Sequence, residues 1–388
     1  MIPLIARSSS RRMAAVVGLG VAAFLALDAG VVPAQQPRWN VETPTGPDHA
    51  ISFEATEGTW MSLAVSPDGR HLAFDLLGHI YEMPIEGGAA RQLTSGRSWN
   101  LMPRYSPDGQ TIAFSSDRSG SHGIWLMDRQ GGSLRSLYAP GDNTYRAVWG
   151  LAGQSLLTAN GSGLSRIDLQ GNATLLARGP GTVNAGAFEP GGGGILFERL
   201  ARPVYPFGFN PYLTPAGGST IERFDLGSGA TSTLIQRPGG AFAPTLSPDG
   251  KRLAYLNRPI DTTRIVVRDL SSHRERVLPG AVDPDRQSSR SGYGPYPAIA
   301  WHPDGQRLYL NTGGRIVAVD VTTGVRTIVP FRAAVDRQAS TTLRFTSKEP
   351  DRTAKTRTHR WGTRTPQGIL FEALGDLWLQ DGKGAARN

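Results

Sequence analysis

The sequence predicts an all-β protein, a propeller of four-stranded blades, about seven in number. Three observations carry this. A turn of sequence Ser-Pro-Asp-Gly stands at residues 66–69, 106–109 and 247–250, and His302-Pro303-Asp304-Gly305 is a fourth copy. Each copy is followed by two short apolar runs with the alternation of strands. The early copies return at about 40 residues, the length of one blade.

The turn reads as type I, with Ser at the first corner, Pro fixing φ at the second and Gly at the fourth. Asp68, Gly69, Asp108, Gly109, Asp249, Gly250, Asp304 and Gly305 are therefore structural turn residues. After the first turn come Leu72-Ala73-Phe74 and His79 to Met83; after the second, Thr111 to Phe114 and Ile124 to Asp128. The third precedes Leu253-Ala254-Tyr255 and Ile265 to Asp269, and the fourth precedes Leu308-Tyr309-Leu310 and Ile316 to Asp320. With the period known, degenerate turns stand near residues 150, 189 and 365, which makes seven positions. The later spacings stretch because of insertions at 199–220, 280–297 and 332–364.

Ile51 to Thr56 aligns with an outer strand but has no blade of its own, and the last repeat runs out where its outer strand is due. The expectation is that the N-terminal strand completes the last blade and closes the ring, because an open ring exposes unpaired edges.

Composition agrees. The 388 residues include 48 Gly and 28 Pro, placed at intervals between strand-like runs rather than in one low-complexity block. There is no Cys, which excludes a disulfide scaffold, a thiol nucleophile and a thiolate metal site. The formal charge of +9 is spread over the repeats apart from Arg332 to Arg364, so it argues for solubility or anionic envelope surfaces, not nucleic acid.

Arg7, Arg11 and Arg12, the apolar run Met13 to Leu27 and the small residues Val32-Pro33-Ala34 form a signal peptide over residues 1–34. The apolar run is short for a permanent span. Export to the periplasm or beyond follows, by the Sec route or, on the evidence of Arg11-Arg12, the twin-arginine route. Residues 35–50 read as a linker and 51–388 as the propeller.

The repeat Ser-Pro-Asp-Gly, Ile-Ala-Phe, Ile-Trp-x-Met-Asp, clearest at residues 106–128, resembles the TolB-type propeller repeat. Glu57 to Ser62, Phe74 to Tyr81 and Arg364 to Trp378 resemble, more narrowly, the N-terminal propeller of large secreted amidohydrolases. That resemblance implies a metal-dependent hydrolase domain after the propeller, and the sequence up to Asn388 contains none. The expected function is a protein- or peptide-binding or substrate-gating module, the propeller portion of an amidohydrolase-family protein without its metal-dependent hydrolase domain, with a protein, a peptide or a hydrolase domain as its partner. The alternatives are a hydrolase active through a part outside this chain and a TolB-like envelope assembly partner.

No catalytic signature is written in the sequence. The seven histidines form no His-x-His or His-Glu-x-x-His, and no Gly-x-Ser-x-Gly occurs. Neither metal nor cofactor is expected. Binding falls instead to the face where loops between the second and third strands and loops between blades converge. It carries Trp99, Asn100, Arg118, His122, Tyr145, Tyr205, Phe207, Phe209, Tyr212, Arg258, Tyr293 and Tyr296. Aromatic and Arg side chains of this kind anchor protein interfaces.

Overall fold

Among the residues that the computed structural model describes, every regular element is a β-strand. The structure describes residues 41–43, 47–140, 144–160, 163–179, 182–200, 218–287, 294–340, 356 and 358–387. The chain divides into two compact units after Ser340.

The first unit holds six blades, each a meander of four antiparallel strands running from the inside outward. Blade 1 is Leu63–Val65, His71–Leu76, His79–Pro84 and Gly88–Gln92. Blade 2 opens with Asn100–Tyr105, blade 3 with Ala147–Trp149 and blade 4 with Thr182–Phe188. Blade 5 opens with Phe242–Leu246, and blade 6 with Ala300–Trp301 and ends with Arg326–Val329. The inner strand of each blade lies against that of the next, and that of blade 6 lies against that of blade 1. The ring therefore closes with six blades. The seventh turn position does produce a four-stranded sheet (Arg360–Thr365, Gly368–Ala373, Asp376–Gln380, Ala386–Arg387), but it belongs to the second unit.

The turns show why the motif repeats. In the first copy the Ser66 hydroxyl donates to Asp68 Oδ1 at 2.5 Å, and the same oxygen accepts the Arg70 N–H at 3.0 Å. The Ser66 hydroxyl also accepts the His71 N–H at 2.9 Å. Ser106 with Asp108 and Ser247 with Asp249 repeat this network. Several turn Gly residues also face the turn of the blade before: Gly109 meets Pro67, Gly153 meets Pro107, and Gly250 meets Pro190. At the seam, Gly69 (φ 72°) meets His302 and Pro303 of blade 6, and His302 Nε2 lies 3.1 Å from the Gly69 carbonyl oxygen. A side chain at residue 69 would strike His302 at 2.9 Å from a backbone conformation that only Gly adopts easily.

A second set of contacts staples blades at the opposite end of the inner strands. Asp75, near the end of the second strand of blade 1, accepts the Met102 N–H of blade 2 at 2.6 Å and the Ser62 N–H at 3.0 Å. Glu198 of blade 4 accepts the Ala243 N–H of blade 5 at 3.1 Å. Asn311 of blade 6 accepts the Met61 N–H of blade 1 at 3.2 Å, across the seam. Met102 and Ala243 have positive φ where the inner strands bulge, so these N–H groups have left the ladder and take a side-chain acceptor instead. Between blades the second strands supply the core, with Leu72, Phe74, Ile112, Phe114, Tyr255 and Leu308 wholly buried.

The expected role of the N-terminal strand is corrected. Asp48–Ala55 pairs antiparallel with Phe331–Ser340, which in turn runs parallel to Gly88–Gln92 on the outer edge of blade 1. Blade 1 is thus a six-stranded sheet, whereas the last sheet has an outer strand of its own, Ala386–Arg387. The first part of the basic insertion at 332–364 is this added strand. Phe331, Ala333 and Val335 alternate with exposed residues and bury against Phe74 and its neighbours. That period of two is what makes it a strand. Residues 341–355 lie outside the described residues.

Candidate binding face and central channel

All six inner strands line a central channel of about 350 Å³. Its wall mixes polar and apolar surface, the apolar part including Val65, Val148, Leu246, Trp149 and Trp301. The two indoles are fixed by donating to the carbonyl of the preceding blade, Trp149 to Arg104 at 3.1 Å and Trp301 to Thr245 at 3.0 Å.

Two cations enter this wall, Arg104 from blade 2 and Arg146 at the start of blade 3. Arg104 donates to the carbonyls of Pro103 at 2.7 Å and Leu63 at 3.3 Å. Arg146 is 9% exposed and reaches across to the carbonyl of Tyr296, just before blade 6. Burial, then the neighbouring Arg146 guanidinium, pulls Arg104 down to about 10, and burial lowers Arg146 too. Burial also pushes Asp75 up to about 6 and raises Glu198, against the N–H groups that both carboxylates accept. None of these four residues was singled out from the sequence. An Arg or Asp inside a strand-like run carries no local sign that a neighbouring blade will enclose it.

The face expected to bind is sorted by the structure into exposed and spent residues. Trp99 is 48% exposed, with the Arg337 guanidinium 5.8 Å from its ring centre. Arg118 lies 5.9 Å from the Trp125 ring and 3.4 Å from Glu42. His122 and Tyr145 pair with ring centres 4.8 Å apart; burial lowers the His122 pKa and raises that of Tyr145. Arg258 is tied to Asp285 at 2.8 Å.

Asn100 and Tyr296 are corrected. Asn100 is buried, its amide donating to the carbonyls of Gly78 and Ser98 and accepting from the Ser116 hydroxyl. Tyr296 is 1% exposed, its hydroxyl donating to the Asn311 carbonyl and its ring lying 5.6 Å from Trp60. Both belong to the core of the mouth because a propeller folds its inter-blade segments inward onto the inner strands. Tyr205, Phe207, Phe209, Tyr212 and Tyr293 lie outside the described residues.

Sequence reasoning missed a polar cluster beside Trp99. Arg337, from the added strand, donates to the carbonyls of Ser98 at 3.3 Å and Arg97 at 3.2 Å and lies 3.1 Å from His79 Nε2. Burial, then Arg337, pulls His79 down to about 4. Glu42 accepts the N–H groups of Arg97 and Ser98 and the Ser98 hydroxyl. Burial opposes its ionisation, but these hydrogen bonds hold its pKa below the ordinary carboxylate value. Only the fold brings residues 42, 79, 97 and 337 together.

The family described as TolB beta propeller domain matches residues 45–202. The chain is 27% identical to the uncharacterized peptidase YuxL of Bacillus subtilis over 180 residues, covering 45% of this chain and 24% of that protein. Across the curated relatives it matches, the chain spans from 11% to 26% of their length. Among solved structures, TolB from Acinetobacter baumannii is similar with a TM-score of 0.50 at 18% identity, over 71% of this chain and 65% of that one. The tricorn protease is similar with a TM-score of 0.53 at 16% identity, over 84% of this chain and 30% of that one. These likenesses show the fold, a TolB-like β-propeller.

Proposed function

We propose that this TolB-like propeller is an exported, non-catalytic module that binds a protein or peptide partner at the channel mouth, and that it gates access for a hydrolase of the amidohydrolase type. The observation that carries the reading is Trp99, a half-exposed indole that Arg337 and Gly78 hold in place. A fixed aromatic side chain next to guanidinium groups is the composition of an interface anchor. Export is supported by the apolar, arginine-led stretch at residues 7–34. Among the described residues, no helix is long and apolar enough to cross a membrane.

The test is capture of partners from an envelope extract by the immobilised protein, beside a Trp99→Ala variant of equal thermal stability. The reading expects a partner enriched by the native protein and at least tenfold depleted with the variant. Equal capture by both would overturn the placement of the site at Trp99.

A second reading, a propeller attached to a peptidase, is favoured by the match to YuxL. The matched part is under a quarter of a protein named as a peptidase, which is what a shared accessory propeller would give. An intact-mass measurement on the native protein distinguishes the two arrangements.

A further inference from the structure

We propose that the groove between blades 2 and 3, on the turn side of the ring, binds an arginine side chain of a partner peptide. The neighbouring groove, between blades 1 and 2, is filled by an arginine of the chain itself. Strand register aligns the two grooves: Leu72 pairs with Met83 in blade 1, Ile112 with Met127 in blade 2 and Leu156 with Ile167 in blade 3. Asp68, Glu82, Tyr105 and Arg129 of the first groove therefore correspond to Asp108, Leu126, Trp149 and Leu169 of the second.

In the first groove Arg129 Nε donates to Glu82 Oε1 at 2.8 Å, and the guanidinium lies 5.8 Å from the Tyr105 ring centre. Arg129 Nη1 is 3.8 Å from Asp68 Oδ2, and the Tyr105 hydroxyl donates to Glu82 at 2.7 Å. In the second groove both members of the central ion pair are leucine. A cavity of about 570 Å³ lies there, lined by Asp108, Leu126, Trp149 and Leu169. That volume is within the usual span of small-ligand sites (roughly 300–1,000 Å³).

The cavity keeps the two groups that hold the guanidinium next door. Asp108 Oδ1 accepts the Ser106 hydroxyl and the Gln110 N–H, which leaves Oδ2 for a ligand. Among the described residues Asp108 makes no ion pair, whereas Asp68 has Arg129. The Trp149 indole, fixed by its N–H on the Arg104 carbonyl at 3.1 Å, takes the place of the Tyr105 ring. An indole face attracts a cation more strongly than a phenol ring does. A guanidinium, unlike an ammonium, stacks on such a face while its edge donates to a carboxylate. Leu126, Leu151 and Leu169 suit the methylene stem.

The charge of the lining points the same way, with Asp108 and Asp128 against the single cation Arg135. Asp128 is bound by the N–H groups and hydroxyl of its own turn, and adds only its charge. Arg135 donates to the Leu169 carbonyl at 3.5 Å, as its counterpart Arg91 does to the Arg129 carbonyl at 3.3 Å, so it frames the groove in both places. The site stands at the other end of the strand Asn100–Tyr105 from Trp99, and its test is independent of that one.

The experiment titrates the full chain with three capped tripeptides, Ala-Arg-Ala, Ala-citrulline-Ala and Ala-Leu-Ala. Tryptophan fluorescence reads occupancy, since Trp149 lines the cavity. The arginine peptide should bind at least tenfold tighter than the citrulline peptide, which keeps the shape without the charge. Asp108→Asn, which retains an acceptor for the turn, should remove most of that preference. The double variant Leu126→Glu with Leu169→Arg rebuilds the ion pair of the neighbouring groove and should abolish binding, with thermal stability showing that the fold persists. Equal binding of the arginine and citrulline peptides overturns the proposal, as does tighter binding of the leucine peptide. Binding that survives the double variant, or no binding of any peptide, overturns it too, and neither result bears on partner capture at Trp99.

Discussion

Phe74 and Phe371 occupy the same place in the repeat, each in a strand that follows a turn, yet their surroundings differ. In the ring the strand His71–Leu76 is almost wholly buried, with Phe74 at 0% exposure. In the sheet of the second unit the strand Gly368–Ala373 buries only Ala373, while Trp361 is 83% exposed and Leu377 63% exposed. The strands are equally apolar in sequence. In the ring, neighbouring sheets lie against both faces of a blade and bury its side chains.

The largest effect that sharpens this contrast is truncation of the paired aromatics. Phe74→Ala should cost about 3–5 kcal/mol, the usual penalty for a fully buried aromatic, measured as urea unfolding of the ring. Phe371→Ala should leave that transition unchanged; a comparable loss would refute the contrast.

Next come the staples. Asp75→Ala or Asn311→Ala strands buried N–H groups of the neighbouring blade, at about 1–3 kcal/mol each by chemical denaturation. Among the described residues the second unit has no counterpart, so substitution of Glu372 should not move the transition.

A smaller, pH-dependent effect has opposite signs at two buried sites. Asp75 rises from 3.8 to about 6 on folding, so its contribution is fully present below 3.8 and is lost as pH rises through about 6. His79 falls from 6.5 to about 4, so its contribution is present above 6.5 and is lost as pH falls through about 4. On acidification from pH 7 to 4 the deficit of Asp75→Asn should widen and that of His79→Gln should shrink, read as unfolding free energy against pH. Parallel lines for the two variants would overturn the assignment.

The smallest effect on stability is expected from Trp361→Ser. It should leave the ring's melting temperature within about 1 °C while lowering the binding of an apolar dye to the native protein, since exposed apolar patches are what such dyes mark.

The turns and strands were legible because their cause is local: Ser66, Asp68 and Gly69 make their turn from residues five or fewer apart. The number of blades in the ring was not, since it depends on Gly69 meeting His302 and Pro303, a contact between the first and last turns of the ring. The site was legible only at its exposed rim. Trp99 and Arg118 could be named from residue type and loop position, whereas Asn100 and Tyr296 share that position and are buried. Arg104, Arg146, Asp75 and Glu198 gain their roles from backbone groups of other blades, which no short window of sequence contains.

The two strands added to blade 1 also set the order in which the ring can fold. Ser52 meets Asp336 across 284 residues, and Phe331–Ser340 follows blade 6 directly through Pro330, whose carbonyl accepts the Gly88 N–H of blade 1 at 2.9 Å. Five blades can assemble from strands that follow one another in sequence. Blade 1 cannot be completed until the chain has been made as far as residue 340, and closing so long a loop is slow. The first blade to emerge is therefore the last to be finished, and its outer edge stays open for pairing throughout synthesis.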